Sequence, residues 1–372
     1  MTVARRPLAV AAVLLLAVTA AGSAGAATGG TGPGATQPGP ALPALSTRQL
    51  VGQHMVLSYA GPTPPAALER RIRAGEVAGV ILFARNIASR GGLRATIARL
   101  QAIPRPAGLG APLLVMIDQE GGLVKRLSGA PSRSPAAVGR TGSIAVARAE
   151  GTATARNLRG VGVNVNLAPV LDTARPGSFS EQLGRSYSRD PARVAALGSA
   201  FAGALRAGSV AATAKHFPGI GVPRVDEDAV ASRIGLSQAT LRRIDEAPFA
   251  AAIRGRIDLV MLATAIYPAF DRLPALFSRR LATDELRGRL GFTGVSITDD
   301  LETAAASQYG SPATQARMST RAGADLLLFA QSYARGAQAA EGLIRDTRAG
   351  RVSTPELRSS AARILALRAS LR

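Results

Sequence analysis

The stretch PLLVMIDQE (112–120) is an apolar run that ends abruptly in two acids separated by an amide. Such a run has no polar alternation, so it suits a strand buried on both faces, as strands of a parallel sheet are. The pattern recurs along the chain. VAGVILF (77–83) precedes it, and VNVNLAPVLD (163–172), VAATAKHF (210–217), DLVMLATAIY (258–267), GVSITDD (294–300) and ADLLLFA (324–330) follow. Between these runs lie amphipathic stretches that predict helices through Leu93–Leu100, Ile144–Leu158, Pro191–Ala207, Gln238–Ile253, Leu281–Leu290 and Ala313–Ala322, with further helices to the C-terminus. Six or seven βα units of this kind predict an α/β protein, a TIM-type (β/α)8 barrel forming a single catalytic domain, in preference to a doubly wound sheet.

The polar residues strengthen the barrel reading because they sit at the C-terminal ends of the apolar runs. Asp118 with Gln119 and Glu120, Asp172, Lys215 with His216, and Asp299 with Asp300 would all meet at one mouth, where barrel active sites are built. A single Asp after a strand is as well explained as the cap of the next helix, and Asp300 is open to that reading. Charged groups at several strand ends together are not. Lys125 and Lys215 are the only lysines beside 43 arginines. A lysine kept in so arginine-rich a chain points to a need for a compact ammonium.

Composition removes whole classes of chemistry. The 372 residues include no cysteine and two histidines, His54 and His216. Disulfide frameworks, thiol nucleophiles, Cys-ligated metals and three-His zinc sites are therefore excluded, and neither a metal nor a cofactor is expected. The formal net charge is +21. The arginines are scattered, and aromatic residues make up 4% of the chain, so there are few stacking platforms for nucleic acid. Attraction to anionic surfaces such as cell-wall polymers is one expectation, and a basic surface that merely keeps the protein soluble is the other.

Arg5 and Arg6 precede the apolar run Pro7 to Ala21, and Ala24-Gly25-Ala26 offers an A-x-A cleavage site. Residues 1–26 read as a secretory signal peptide, too short for a membrane span, so a secreted, unanchored, monomeric protein is expected. Residues 27–45, rich in Gly, Pro, Thr and Ala, read as a flexible linker, and residues 46–372 as the barrel. Ser46-Thr47-Arg48-Gln49 is an N-cap signal for a first helix expected to carry His54. His54 lies far in sequence from the strand-end motifs and reads as a structural or surface histidine.

The runs IDQEGGLVKRL (117–127), NLAPVLD (166–172), GRSYSRDP (184–191), KHFPG (215–219) and GFTGVSITDDLE (291–302), in this order, resemble the family 3 glycoside hydrolases. Within that family they are similar to the single-barrel β-N-acetylglucosaminidase (β-N-acetylhexosaminidase) branch. The resemblance runs from about Leu45 to the C-terminus. It implies a retaining hydrolase that removes terminal N-acetylglucosamine from cell-wall or chitin-type glycans, with Asp299 as the nucleophile. It also implies that Asp118, Arg126, Arg185, Lys215 and His216 hold the sugar. These residue types suit retaining chemistry, which traps an oxocarbenium-like centre on a carboxylate while polar groups bind the ring.

One loop departs from the family pattern. Where the family reads roughly H-G-x-x-x-x-D-S-H after KHFPG, this chain has Ile220 at the first His, Asp226 at the Asp and Asp228 at the last His. The family's strand sequence M-P-A-H likewise becomes Met261-Leu262-Ala263-Thr264. Two functions follow. In one, Asp228, or Asp226 or Glu227 beside it, serves as the acid/base of an exported β-N-acetylhexosaminidase. In the other, the protein is a catalytically impaired wall-glycan binding or sensing protein on the same fold. A phosphorylase using phosphate is a minor third.

Overall fold

The structure is a computed structural model that describes residues 43–225 and 232–371. The segments read as signal peptide and most of the linker, together with Asp226, Glu227 and Asp228, lie outside the described residues.

Eight parallel strands form the barrel: β1 Met55–Leu57, β2 Gly79–Leu82, β3 Leu114–Ile117, β6 Val165–Asn166, β7 Ala211–Phe217, β8 Leu259–Leu262, β9 Val295–Thr298 and β10 Leu327–Phe329. A small antiparallel hairpin, β4 Gln119–Gly121 and β5 Val124–Lys125, leaves the mouth directly after β3. The sheet order is β10-β1-β2-β3-β6-β7-β8-β9, and a single bridge between Ile297 and Leu326 draws the last pair together. The sheet is thus a nearly closed TIM-type barrel. The expected strands and most of the expected helices are present, and Pro191–Ala207 forms as read.

Alternation within each strand divides the apolar residues between two cores. Val56, Ile81, Leu114, Met116, Leu259, Met261, Val295, Ile297 and Leu328 pack inside the barrel. Their neighbours Leu57, Val80, Leu82, Val115, Val260, Leu262 and Phe329 face outward, under the helices. Both faces are dry, which is why the runs read as continuously apolar.

Three expectations need correction. The first helix spans Thr47–Gly52, capped by a Ser46–Gln49 capping box, so His54 lies beyond it in the turn before β1. β1 and the hairpin were not expected, since three apolar residues or a Gly-Gly turn carry little pattern of their own. The helix expected over Gln238–Ile253 is broken into a short helix Gln238–Thr240, a wide π-type turn Leu241–Asp245 and a helix Ala247–Arg254. Pro248 has no N–H for the carbonyl four residues back. That carbonyl, on Ile244, accepts from the Thr173 hydroxyl at 3.4 Å instead.

Candidate active site

β7 runs seven residues and its pairing with β8 shifts between Ala214 and Phe217. Such an irregularity re-aims side chains at a strand end. Lys215 and His216 here both line a cavity of about 280 Å³ at the C-terminal mouth, together with Asp118, Glu120, Arg126, Arg185 and Asp299. The six described residues that the sequence marked as candidates are therefore brought together.

The cavity floor is an ion cluster. Lys215 Nζ donates to Asp118 Oδ1 at 2.7 Å and lies 2.8 Å from Glu120 Oε1. Arg185 clamps Glu120 with both arms of its guanidinium, Nε to Oε2 at 2.9 Å and Nη2 to Oε1 at 2.8 Å. Burial works against the charges of Lys215 and Glu120, but the opposite charges around them win. The lysine's affinity for its proton is raised and the carboxyl of Glu120 is held below its ordinary range. Glu120, expected at the mouth as the second acid of IDQE, is not among the residues expected to hold the sugar, yet it anchors both Arg185 and Lys215.

Beside this cluster stands a buried histidine between carboxylates. Asp172 Oδ2 accepts from His216 Nδ1 at 2.8 Å, and His216 Nε2 lies 4.0 Å from Asp299 Oδ2. Burial alone would lower the imidazole's pKa; Asp172 first and Asp299 after it outweigh burial and raise it. Asp299 Oδ1 accepts the Asp300 N–H at 2.8 Å, which leaves Oδ2 on the His216 side. Asp300 acts as a clamp between strand ends. It accepts from the backbone of Glu302 and Ala330 and from Gln331 Nε2, while burial pushes its carboxyl up to about 6.

The rim comes from other strand ends. Phe83, after β2, carries the Arg85 guanidinium 4.4 Å above its ring and that of Arg126 at 5.7 Å, and all three line the cavity. The segment that leads into the altered loop is pinned down. Ile220 N–H donates to Asp172 Oδ1 at 2.9 Å, Arg175 N–H to Gly221 O at 2.9 Å and the Tyr267 hydroxyl to Gly219 O at 2.9 Å. A side chain at Gly221 would sit 1.7 Å from Thr173 O, so only glycine lets these backbones meet. Ile220, at the place of a family histidine, is buried and apolar, and the Thr264 hydroxyl is buried with no hydrogen-bond partner. No group of three His, Cys, Asp or Glu spaced to hold a metal ion exists among the described residues.

Residues 47–367 match the family described as the glycosyl hydrolase family 3 N terminal domain. The chain belongs to glycoside hydrolase family 3. The resemblance carried by the motifs is borne out, and the chain is a glycosidase. It is 37% identical over 341 residues to an uncharacterized secreted glycosyl hydrolase of Arthroderma benhamiae, covering 89% of this chain and 96% of that one. It is 36% identical over 275 residues to a beta-hexosaminidase of Pseudomonas aeruginosa, covering 73% and 80%. The solved family 3 beta-N-acetylglucosaminidase of a Paenibacillus species superimposes with a TM-score of 0.84 at 34% identity, over 88% of this chain but 63% of that longer one.

Proposed function

We propose that this family 3 glycosidase is an exported, retaining β-N-acetylglucosaminidase that removes one terminal sugar at a time, with Asp299 as nucleophile. The observation that carries this reading is the placement of Asp299 on a cavity of about 280 Å³ whose floor is the Asp118–Lys215–Glu120–Arg185 cluster. That volume falls just below the ~300–1,000 Å³ range of small-molecule sites, room for one ring instead of an extended chain. Asp118, Arg126, Arg185, Lys215 and His216 offer charged donors and acceptors to the ring hydroxyls. The Asp299 carboxylate attacks the anomeric carbon as the glycosidic bond breaks, and water then releases the sugar.

The leaving oxygen needs a proton. Asp228, at the place of the family's histidine, is the proposed donor and later base, with Asp226 beside it. A nucleophile and an acid in a retaining site lie about 5–5.5 Å apart, so mutual repulsion favours one proton on the pair. The similarity to beta-hexosaminidases supports the substrate class. Export is supported by the signal-like N-terminus and by the name of the secreted relative, and no described helix is long and apolar enough to cross a membrane.

Turnover of an aryl β-N-acetylglucosaminide and of a natural disaccharide tests the reading. Asp228→Ala should lower kcat on the disaccharide by about 10²–10⁴-fold, the worth of general acid–base catalysis, and on the aryl substrate much less, with azide restoring part of the loss. Equal losses on both substrates would remove Asp228 from its role. No turnover of either by the unaltered protein would favour the binding or sensing reading.

A further inference from the structure

The chain's two histidines are both buried, but only His216 faces carboxylates on two sides. Asp172 is almost wholly enclosed, with 1% of its surface exposed. Its Oδ1 accepts two backbone N–H groups, from His216 at 3.1 Å and Ile220 at 2.9 Å, so the carboxylate cannot swing away. Its Oδ2 is then committed to His216 Nδ1 at 2.8 Å. A carboxylate can only accept, so Nδ1 carries a proton.

The far nitrogen is fixed by the same geometry. Were Nε2 bare, its lone pair would point toward the Asp299 carboxylate across 4.0 Å inside a buried pocket. A proton there turns that repulsion into attraction. The other charges around the ring do not reverse the balance, because Lys215 and Arg185 are engaged by Asp118 and Glu120. The 4.0 Å separation is too long for a direct hydrogen bond, which leaves Nε2–H available to a substrate oxygen set beside Asp299.

We propose that Asp172 is a positioning residue that holds His216 as an imidazolium with its Nε2–H directed at Asp299 and at the substrate oxygen bound there. The proposal rests on the reading of Asp299 as nucleophile for its catalytic meaning, but its structural content concerns the resting protein alone. Asp172 also ties this imidazole to the entry of the altered loop through Ile220. One buried carboxylate thereby sets both the donor facing the nucleophile and the start of the segment that leads to Asp226 and Asp228.

With two histidines in the chain, ¹⁵N-histidine labelling gives an imidazole spectrum of two rings. His54, pushed down by burial, should stay neutral and serve as the internal reference. His216 should show both ring nitrogens protonated at pH 6.5 and above. In Asp172→Asn the amide oxygen can still accept the two backbone N–H groups, while its NH₂ donates to Nδ1, so His216 should become the neutral Nε2–H tautomer. That change should lower kcat/KM by about tenfold or more, the scale on which an orienting partner of a functional histidine is felt, and should move the pH profile.

A neutral Nδ1–H tautomer of His216 in the unaltered protein at pH 6.5 would overturn the proposal without any variant. So would an Asp172→Asn protein with an unchanged spectrum or an unchanged pH profile. Activity that survives in Asp299→Asn would instead overturn the nucleophile assignment, and the imidazole spectrum would still decide the role of Asp172.

Discussion

The mouth and the base of this barrel each bury a histidine beside an aspartate, and the two pairs behave in opposite ways. At the base, His54 Nδ1 donates to the backbone carbonyl of Asp325 at 2.7 Å, and burial lowers its pKa. The Asp325 carboxylate is taken by Arg287, Arg363, the Ser296 N–H and the Ser360 hydroxyl, and despite burial these arginines hold its pKa below the ordinary value. At the mouth, His216 meets the Asp172 carboxylate itself, with Asp299 on its other side, and its pKa is raised. Burial is the same; what differs is whether arginines or the imidazole neutralise the acid. A base closed by arginines stabilises the fold, whereas at the mouth Asp172 and Asp118 are held by a histidine and a lysine that both line the cavity, so that end stays responsive to a ligand.

The sharpest way to break this contrast is to delete one acid from each end. Asp299→Asn should lower kcat on any aryl hexosaminide by at least about 10³-fold with little change in Tm, because the covalent route is lost while the side chain's size is kept. An unchanged rate would mean that the wrong carboxylate has been assigned. Asp325→Ala should do the reverse. It leaves Arg287 and Arg363 without their shared buried partner, a loss on the order of 3–5 kcal/mol in unfolding free energy, while kcat of the protein that remains folded should not change. Chemical denaturation and rate measurements on the same samples would separate the two outcomes.

The histidines make opposite contributions to stability as pH changes. His216 has a raised folded pKa, so its stabilisation is complete below the unfolded value near 6.5 and is lost as pH rises through the folded value. His54 has a lowered folded pKa, so its unfolded form binds protons first and stability falls as pH drops below about 6.5. Denaturant midpoints across pH should therefore lose the alkaline limb in His216→Gln and the acid limb in His54→Gln. If either variant keeps its limb, the charge state assigned to that ring is wrong.

The sequence made the mouth more legible than the base. Strand-end acids and bases interrupt apolar runs, so Asp118, Asp172, Lys215, His216 and Asp299 stand out, and family motifs add Arg126 and Arg185. The partner Glu120 was visible as an acid but not as the common anchor of Arg185 and Lys215, since that role depends on a side chain 65 residues away. Asp325 and its arginines carry no local signal at all, because they meet only when the segment entering β10, the π-helix Arg280–Arg289 and the C-terminal helix Thr354–Ser370 converge. Phe83 and Arg85 lacked any pattern beyond following a strand.

The base is not neutralised everywhere, and that yields the smallest of the expected effects. From residue 77 to residue 171 there are twelve bases and three acids, and those acids are Asp118 and Glu120 in the site and Glu150, which is buried and paired with Arg133. Near the start of β3 and β6, a groove of about 410 Å³ is lined by Arg94, Arg105 and Arg159 with no acid among its described residues. Beneath it Arg368 is fully buried on carbonyl oxygens and Gln53, its pKa pushed down to about 10 by burial first and by the charge of Arg105 second. Arg105 itself donates to the carbonyls of Gln101, Ile103 and Leu109, so Arg94 and Arg159 are the cations in this groove most able to meet a polyanion. We propose that an anionic polymer, the partner expected from the net charge, meets the protein on this surface, away from the mouth and its cavity. The Arg94→Gln, Arg159→Gln double variant should elute from a phosphodiester polymer at lower salt, with the salt dependence of binding reduced by about 0.7 per lost phosphate contact if counterion release governs it as on single-stranded nucleic acid. Turnover of a small aryl substrate should not change, since neither arginine lines the mouth. Equal elution of the variant and the unaltered protein would mean that the basic flank serves solubility alone.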